Sequence, residues 1–445
     1  AALYAAKNGH EVVLIEQDKL GGTCLNCGCI PTKALLACSD LLHDIRNAGA
    51  FGIAINEEPQ TRFEDMYKRK EGIVSGLVNG IRFLMNANHV TVVNGYGRLA
   101  GPGTIAVTRE DGETETITAD RIILATGSSE SVPPVFPYDG TGVITSKEVL
   151  AITERPGSMI IVGGGVIGCE VGQFFARIGT NVTIVEMMDH ILPNEDADVA
   201  KILARALKKD GVKILCGKAV ETVQYTEDGI MVAVSGGELL LAEKVLIAIG
   251  RRPNTADIGL ETVGIKTDRR GYIPVDAHMR TEAAGIYAIG DIVPTAQLAH
   301  VASKEGLTAV DDICGKPEAY TTYHAVPRCI YADPEIAAVG VTEDACKKEG
   351  RSFRKGTFDF MASGKAKAAG KTEGMVKVLT DEADVIIGAS ITGAHASDML
   401  SVLTLAVELG LTTEQVNRSI FPHPSMSESI MEALHDVHGS SVHKL

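Results

Sequence analysis

The sequence predicts an α/β protein with two dinucleotide-binding units. Three observations support this prediction: a complete glycine-turn unit near Met159, a partial repeat of that unit near the start of the chain, and short apolar strands that end in glycine. A chain of 445 residues is long enough for about two to four domains, each with its own hydrophobic core.

The complete unit begins with Met159 to Val162, an apolar run that is typical of a buried strand. Gly163, Gly165 and Gly168 follow in a G-x-G-x-x-G pattern. In such a turn the glycines allow a tight bend, a close approach of the backbone to a pyrophosphate, and close packing of the next helix on the strand. The amide groups at the start of that helix can then bind the anion. A plain structural glycine turn is disfavoured, because strand, glycines, helix, second strand and acid occur in the expected order.

The second strand of this unit, Val182 to Val185, is followed by Glu186. The acid lies at about the 20-residue spacing expected for an acceptor of the ribose 2′-hydroxyl. Met187 and Met188 come next, where an arginine would be needed to bind a 2′-phosphate. The pattern therefore favours NAD over NADP.

The start of the chain repeats part of this unit. The segment "ARIGTNVTIVE" (Ala176 to Glu186) matches "AKNGHEVVLIE" (Ala6 to Glu16), glycine to glycine and acid to acid. We therefore expect a strand and glycine turn of about a dozen residues to precede Ala1. Two units imply two nucleotides, and Asp291, after the short apolar run of "GIYAIGD", is well placed to accept a hydrogen bond from a cofactor hydroxyl.

Composition excludes several classes of protein. The formal net charge of -15 argues against nucleic-acid binding, which requires a basic surface. No apolar run approaches the ~20 residues needed to cross a bilayer. The nine cysteines show no disulfide-framework spacing, so we expect a reducing compartment, the cytoplasm.

The stretch "GGTCLNCGCIPTK" places Cys24, Cys27 and Cys29 close together. Three thiols could bind zinc or an iron–sulfur cluster, but such sites need a fourth ligand, and no second Cys pair or suitably spaced His is present. Cys24 and Cys29 flank a short loop that could instead close into an exchangeable disulfide. A helix is predicted over Pro31 to Leu42, and the positive end of its dipole would favour a nearby thiolate.

This stretch resembles the redox loop of the flavoprotein disulfide reductases, and its "CIPTK" ending is similar to that of the members that oxidise dihydrolipoamide. The resemblance spans nearly the whole chain. It continues in order through "IILATGS", "GGGVIGCE", "IGRRPNT", "GIYAIGD", "LAHVASKEG", "YADPEIAAVG" and "FPHPSMSESIMEA".

The resemblance implies two Rossmann-like dinucleotide-binding domains, for FAD and NAD, and a C-terminal α+β dimerisation domain. We predict an FAD-binding domain over 1–145, whose first strand and glycine turn are expected before Ala1, and an NAD-binding domain over 146–256. A central, second FAD-binding segment follows over 257–323, and the dimerisation domain covers 324–445.

The resemblance also implies roles for individual residues. Cys24 and Cys29 pair, with Cys24 as the thiol that the substrate attacks and Cys29 as the thiolate that contacts the flavin. Lys33 lies near the reactive edge of the flavin, with Glu170 as its partner. Cys27 departs from the family pattern, which has no cysteine there, and adds a competing thiol.

The cofactor-binding residues implied by the resemblance fall into two sets. Those for FAD are Glu16, Gly22, Thr23, Lys33, Gly97, Thr126, Gly127, Ser128, Asp291, Gln297, Leu298, Ala299 and His300. Those for NAD are Gly163, Gly164, Gly165, Val166, Ile167, Gly168, Glu170, Glu186, Val220 and Gly250. No metal site is expected.

His423 is similar to the catalytic histidine of the family, with Glu428 orienting its ring. An imidazole, with a free pKa near 6.5, can take and return a thiol proton. Ser425-x-x-Glu428 is also a capping box, so Glu428 could instead cap a helix. Phe421 stands where the family commonly has a second histidine. Family members are homodimers in which this histidine reaches the disulfide of the other subunit, and the apolar segment 397–411 suits a helix buried on several sides.

The expected function is oxidation of protein-bound dihydrolipoamide to lipoamide with NAD⁺, through a Cys24–Cys29 disulfide and FAD. The implied partners are the lipoyl and subunit-binding domains of a 2-oxoacid dehydrogenase E2 component, or the H protein of glycine cleavage, with no nucleic acid and no membrane. Three alternatives stay open: a reductase similar to glutathione reductase, one similar to mercuric reductase, and a metal-binding, non-catalytic scaffold.

Overall fold

The computed structural model describes residues 1–316, 318 and 320–444. Their contacts define two compact units. The first comprises Ala1–Ala34, Tyr67–Ser131 and Gly250–Tyr323, and the second Leu35–Met66, Val132–Ile249 and His324–Leu445. The α/β class is as predicted. The four domain boundaries drawn from the sequence stay a prediction.

Helices and strands alternate over residues 143–215, and runs of several strands precede and follow that stretch. The helices are α1 (Ala2–Lys7), α2 (Gly22–Cys27), α3 (Cys29–Arg46), α4 (Phe63–Ala87), α5 (Ser146–Val149), α6 (Val166–Arg177), α7 (Ala197–Lys209), α8 (Ala299–Ile313), α9 (Glu343–Glu349), α10 (Gly364–Ala368), α11 (Ala396–Glu408), α12 (Thr413–Asn417) and α13 (Glu428–Asp436). The strands are β1 (Val13–Glu16), β2 (Thr91–Asn94), β3 (Tyr96–Gly101), β4 (Thr104–Thr108), β5 (Thr114–Thr118), β6 (Ile122–Leu124), β7 (Ser128–Glu130), β8 (Val143–Thr145), β9 (Ser158–Val162), β10 (Asn181–Val185), β11 (Lys213–Leu215), β12 (Val220–Thr226), β13 (Gly229–Val234), β14 (Glu238–Ala242), β15 (Lys244–Ile247), β16 (Arg251–Pro253), β17 (Ile286–Ala288), β18 (Arg328–Ile330), β19 (Ile336–Gly340), β20 (Arg354–Asp359), β21 (Met375–Thr380) and β22 (Ile386–Thr392).

The first unit contains two parallel strand pairs, β1 with β2 and β6 with β17. An antiparallel sheet, β3–β4–β5, follows β2, and β7 pairs antiparallel with β16. Aliphatic side chains such as Leu99, Ile122, Ile273 and Ile286 form its core. Because β6 and β17 are parallel neighbours, the residues that follow both strands lie at one edge, where α/β proteins bind ligands.

The second unit contains a parallel sheet in the order β11–β10–β9–β15–β8. Its central strand β9 is buried along nearly its whole length, as expected for a strand covered on both faces. An antiparallel sheet, β12–β13–β14, lies between β11 and β15 in the sequence. A second five-stranded sheet, β18–β19–β22–β21–β20, is antiparallel, with α11 packed on β19 and β22 and α13 on β20 and β21.

The repeat seen in the sequence has the same local structure in both places. The end of a helix, a glycine and a strand follow one another in α1–β1 and in α6–β10. The matched glycines, Gly9 and Gly179, have φ values of +88° and +95°. Both therefore take the left-handed conformation that ends a helix at low cost only with glycine. The strands lead to Glu16 and Glu186.

Arg177 anchors the C-terminal half of α3 within the second unit. Its side chain is 4% exposed and contacts Asp40 at 2.7 Å and Asp210 and Asp333 at 2.9 Å each. Burial raises the pKa of Asp40 to about 6, although the charge of Arg177 opposes this shift. Since Asp40 lies on α3, the network restrains the part of this helix that belongs to the second unit. Removing one partner of such a buried network leaves uncompensated charge, which is strongly destabilising.

Candidate redox site

Cys24 and Cys29 form a disulfide, with Cα atoms 4.7 Å apart. Cys24 belongs to α2 and Cys29 is the first residue of α3, so the bond joins two consecutive helices. The predicted pairing is confirmed, and two of the three thiols that a metal site would have used are already bonded to each other. Among the residues that the structure describes, no group of three or more His, Cys, Asp or Glu side chains could hold a metal ion.

Gly28 allows the two helices to meet so closely. A Cβ added at this position would lie 2.9 Å from the Thr23 carbonyl oxygen, so a side chain would push α2 and α3 apart. The Gly28 carbonyl accepts hydrogen bonds from the Thr32 amide at 3.2 Å and the Thr32 hydroxyl at 2.7 Å, which stabilises the first turn of α3. The loop predicted between the cysteines is therefore wrong, since most of it is helical, and α3 extends beyond the predicted Pro31 to Leu42 at both ends.

Cys27 lies at the end of α2, one helical turn after Cys24, and is half-buried. Asn26 holds this short helix in place, because its side-chain amide donates to the carbonyls of Leu20 at 3.1 Å and Gly22 at 3.0 Å. The third thiol is thus close in sequence and in structure to the redox pair.

Lys33 and Glu170 were predicted to act together beside the flavin. Lys33 lies on α3 one turn after Cys29. Glu170 lies on α6, is 2% exposed, and accepts a hydrogen bond from the Tyr331 amide at 2.9 Å. The Tyr331 contact was not anticipated, and it gives Glu170 a structural role within its own unit. The Lys33–Glu170 pair stays a prediction.

Residues predicted to bind FAD lie at the ends of the parallel strands of the first unit. Thr126 to Ser128 follow β6, and Asp291 follows β17. The Ser128 hydroxyl donates to Asp291 Oδ2 at 2.5 Å, while Asp291 Oδ1 makes no hydrogen bond within the described part of the chain and can accept one from a ligand. Glu16 ends β1, and its Oε1 accepts a hydrogen bond from the Asp18 amide at 2.9 Å.

The other predicted FAD residues have the following positions. Gly22 and Thr23 are in the first turn of α2, Gly97 is in β3 beside Ile15 of β1, and Gln297 to His300 lead into α8. The carboxylates at strand ends and the helix starts are the features that bind ribose hydroxyls and phosphates. The residues present in the first unit therefore fit FAD.

Asn254 is a site residue that the sequence analysis did not single out. Its side-chain amide donates to the Thr126 carbonyl at 3.1 Å, and its Oδ1 accepts from the Ser129 hydroxyl at 2.7 Å. Thr126 in turn donates to the Asn254 carbonyl at 2.6 Å. These bonds hold the turn after β6. The motif "IGRRPNT" contains Asn254 and could have drawn attention to it. The sequence of a loop, however, does not show that an asparagine contacts Thr126 and Ser129.

The glycine turn of the second unit has the close contacts expected of a dinucleotide site. A Cβ on Gly163 would lie 2.4 Å from the Ala248 carbonyl oxygen, and one on Gly168 would lie 2.0 Å from the Gly163 carbonyl oxygen. Neither position can hold a larger residue. Gly165, by contrast, has no neighbouring atom within 4 Å of the place that a Cβ would take, which leaves its backbone open to a pyrophosphate at the start of α6.

Glu186 follows β10 at the same edge and is held by two backbone amides. Its Oε2 accepts from Gly164 at 2.6 Å and its Oε1 from Met188 at 2.8 Å. A carboxylate has further lone pairs, so it can also accept a ribose hydroxyl. Met187 is 69% exposed and offers no positive charge to a 2′-phosphate. These residues fit NAD.

Four predicted NAD residues complete the description. Val166 and Ile167 form the first turn of α6, and Val220 begins β12. Gly250 has a φ of +123°, a conformation that favours glycine.

His423 and Glu428 form a hydrogen-bonded pair. His423 Nδ1 lies 2.7 Å from Glu428 Oε1, and the His423 side chain is 81% exposed. The second oxygen, Oε2, accepts from the Ser425 amide at 2.8 Å. Burial opposes ionisation of Glu428, but these hydrogen bonds lower its pKa overall. Glu428 is therefore anionic at neutral pH and can orient the imidazole.

The capping-box alternative for Glu428 is only partly correct. The helix α13 begins at Glu428 itself, so the residue is not at the third helical position that a capping box requires. It nevertheless binds the Ser425 amide, so one carboxylate both fixes the preceding turn and holds His423. Phe421, at the position where the family commonly has histidine, packs against the core of the C-terminal sheet.

Comparison with known proteins agrees with this geometry. Residues 1–306 match the family model of the pyridine nucleotide-disulphide oxidoreductases, and residues 326–434 match the model of their dimerisation domain. The chain belongs to this family. Its cofactors are FAD and NAD, and it is a flavin-dependent oxidoreductase that acts on a sulfur group, as predicted.

Curated relatives are similar over the full chain. A dihydrolipoyl dehydrogenase of Bacillus subtilis is 41% identical, with 100% of this chain and 96% of the relative covered. One from Thermus scotoductus is 38% identical, with the same coverage of 100% and 96%. A leghemoglobin reductase of Glycine max is 37% identical, covering 97% of this chain and 84% of that protein.

Solved structures of two family members are similar as well. LpdA from Mycobacterium tuberculosis has a TM-score of 0.91 and 30% identity, covering 98% of this chain and 96% of that chain. A Cu(II) complex of the HOCl-induced flavoprotein disulfide reductase RclA from Escherichia coli has a TM-score of 0.87 and 30% identity, covering 97% and 95%.

The dimerisation domain of this disulphide oxidoreductase supports a homodimer. Its helix α11 was predicted to be buried on several sides in the homodimer, and this stays a prediction. Leu403 and Ala406 are fully buried on the sheet, whereas Leu405 is 58% and Leu409, just after the helix, 61% exposed.

No helix among the described residues is long and apolar enough to cross a membrane.

We expect Gly165→Ala to weaken NADH binding without unfolding the protein. The added methyl group has free space around it, but it would occupy the place where the backbone approaches the pyrophosphate. The Kd for NADH, measured by calorimetric titration, should rise about tenfold or more, which corresponds to about 1.4 kcal/mol. Gly364→Ala is the matched control, because that glycine is equally open and begins α10. Unchanged NADH affinity in Gly165→Ala would contradict the assignment.

Proposed function

We propose that this chain is a dihydrolipoyl dehydrogenase, which oxidises protein-bound dihydrolipoamide to lipoamide and transfers the electrons to NAD⁺. The observation that carries the proposal is the Cys24–Cys29 disulfide at the start of α3. The relatives of that name are similar over the full chain, at up to 41% identity. Bound FAD would supply the two-electron chemistry between the disulfide and the nicotinamide.

The disulfide accepts the electrons of the substrate by thiol exchange. A substrate thiolate attacks Cys24 Sγ, which breaks the Cys24–Cys29 bond and releases Cys29 as a thiolate. Attack of the second substrate thiolate on the mixed disulfide then forms lipoamide and leaves Cys24 reduced. Cys29 is a good leaving group because it is the first residue of α3, where the helix dipole stabilises a thiolate.

His423 is proposed as the base that prepares the substrate thiols. Its Nδ1 is bonded to the anionic Glu428, so its Nε2 is the nitrogen that can take a proton. Glu428 stabilises the imidazolium that results. In the homodimer, His423 of one protomer would serve the disulfide of the other.

Lys33 and the buried Glu170 are proposed to act at the flavin edge, on the side of Cys29.

The proposed partners are the lipoyl domain and the subunit-binding domain of a 2-oxoacid dehydrogenase E2 component, or the glycine cleavage H protein. The names of the dihydrolipoyl dehydrogenase relatives support this role. The cytoplasm is the proposed location, supported by cysteines that follow no disulfide-framework spacing.

The alternatives are less well supported. An enzyme similar to glutathione reductase would need an arginine near Met187, and one similar to mercuric reductase would need a C-terminal cysteine pair, which "HDVHGSSVHKL" lacks. A metal-binding scaffold would use thiols that here form a disulfide. A yellow protein that contains FAD and no metal would exclude that last alternative.

We expect Cys29→Ser to abolish lipoamide-dependent turnover while FAD stays bound. Serine keeps the size of the side chain but cannot form the disulfide, so thiol exchange has no electron acceptor. Dihydrolipoamide-dependent formation of NADH, together with flavin absorbance, measures both properties. Cys38→Ser, on the same helix, is the control and should keep normal turnover. Normal turnover in Cys29→Ser would refute the proposed function.

We expect His423→Gln to slow turnover by about 10²- to 10⁴-fold, the usual effect of a lost general base. The matched control is His443→Gln, since His443 Nδ1 lies at the same 2.7 Å from a carboxylate, that of Glu432. Steady-state rates across pH 6 to 9 would be compared for the two variants. Equal rates in both variants, or a loss that is larger in the control, would show that His423 is not the base.

A further inference from the structure

Glu305 is a buried carboxylate that the proposed chemistry does not use. It lies on α8 and is 0% exposed. No ion pair balances its charge among the described residues. A buried carboxylate without a cation is costly unless it accepts hydrogen bonds. The groups that donate hydrogen bonds to Glu305 therefore indicate which part of the structure this carboxylate stabilises.

Three hydrogen bonds satisfy Glu305, and two of them come from the segment that contains Asp291. Oε2 accepts from the Gly290 amide at 2.6 Å. Oε1 accepts from the Thr295 hydroxyl at 2.8 Å and the Tyr323 hydroxyl at 2.9 Å. One carboxylate therefore holds both ends of the turn that presents Asp291.

The Gly290–Asp291 turn also depends on contacts with other parts of the first unit. Gly290 has a φ of +72°, and a Cβ there would lie 3.2 Å from Ala302 Cβ on α8, so this turn packs directly against the helix. The hydroxyl of Ser128, at the start of β7, donates a hydrogen bond to the Asp291 carboxylate and fixes that side chain. Glu305 supplies the matching restraint on the backbone.

We propose that Glu305 is a positioning residue for FAD, which acts through the Gly290–Asp291 turn and sets the place of the Asp291 carboxylate. This role concerns FAD binding and not the lipoamide substrate, so its failure would leave the proposed function intact. Burial raises the pKa of Glu305, with the nearby charge of Asp291 adding to the shift, and the three hydrogen bonds oppose it.

Glu305→Ala should raise the Kd for FAD about tenfold to hundredfold, because the Gly290 amide loses a charged acceptor. Fluorescence quenching of FAD on titration with apoprotein measures this affinity without any turnover. The visible spectrum of the bound flavin should also shift, since Asp291 is no longer held. Thr295→Val and Tyr323→Phe, which each remove one hydrogen bond to Glu305, should fold normally and weaken FAD binding to a smaller degree.

Asp312→Asn is the matched control. Asp312 is a second buried carboxylate on α8, but it binds Arg280 and Tyr287 and not the turn. The control should lower the melting temperature without changing FAD affinity or the flavin spectrum. If Glu305→Ala does not fold, the FAD affinities of the Thr295→Val and Tyr323→Phe variants test the proposal instead. Wild-type FAD affinity in those two variants, or an equal loss in Asp312→Asn, would overturn the proposal.

Discussion

The disulfide between Cys24 and Cys29 is the bond on which the function of this protein depends. It joins the first turn of α2 to the first residue of α3, and it forms there because Gly28 lets the two helices approach closely. The exchange chemistry needs a thiolate that leaves easily, and the start of an 18-residue helix provides a positive dipole for that thiolate. We propose that the cofactor residues and the His423–Glu428 pair serve this bond.

Buried charge holds the surrounding frame in place. Arg177 contacts three carboxylates, including Asp40 on α3, so the part of α3 in the second unit is held by a network that tolerates little change. Glu305 holds the turn before Asp291 in the same manner, with hydrogen bonds in place of a cation. In both cases contacts to neighbouring segments offset the cost of burying a charge.

Sequence patterns predicted the glycine turn at Gly163, its strands and Glu186, because a dinucleotide site depends on local spacing. The pairing of Cys24 with Cys29 rested on resemblance, since spacing alone left a metal site open. The helix α2 was not predicted, because a glycine-rich stretch resembles a loop unless the Asn26 contacts are known. Asn254 and Glu305 were missed for another reason: their partners lie outside their own segments of the chain. The burial of α11 on several sides stays a prediction, since apolar composition does not show which chain covers the side that is exposed in a single chain.

The central claim is that electron pairs pass between the nicotinamide and the Cys24–Cys29 bond. The most direct measurement is anaerobic reduction of the FAD-loaded protein with an equimolar amount of NADH, followed by alkylation and peptide mass spectrometry. Cys24 and Cys29 should be alkylated only after NADH is added, while an untreated sample keeps them joined. If NADH is oxidised and both sulfurs remain in the disulfide, electron pairs do not pass between the nicotinamide and the Cys24–Cys29 bond.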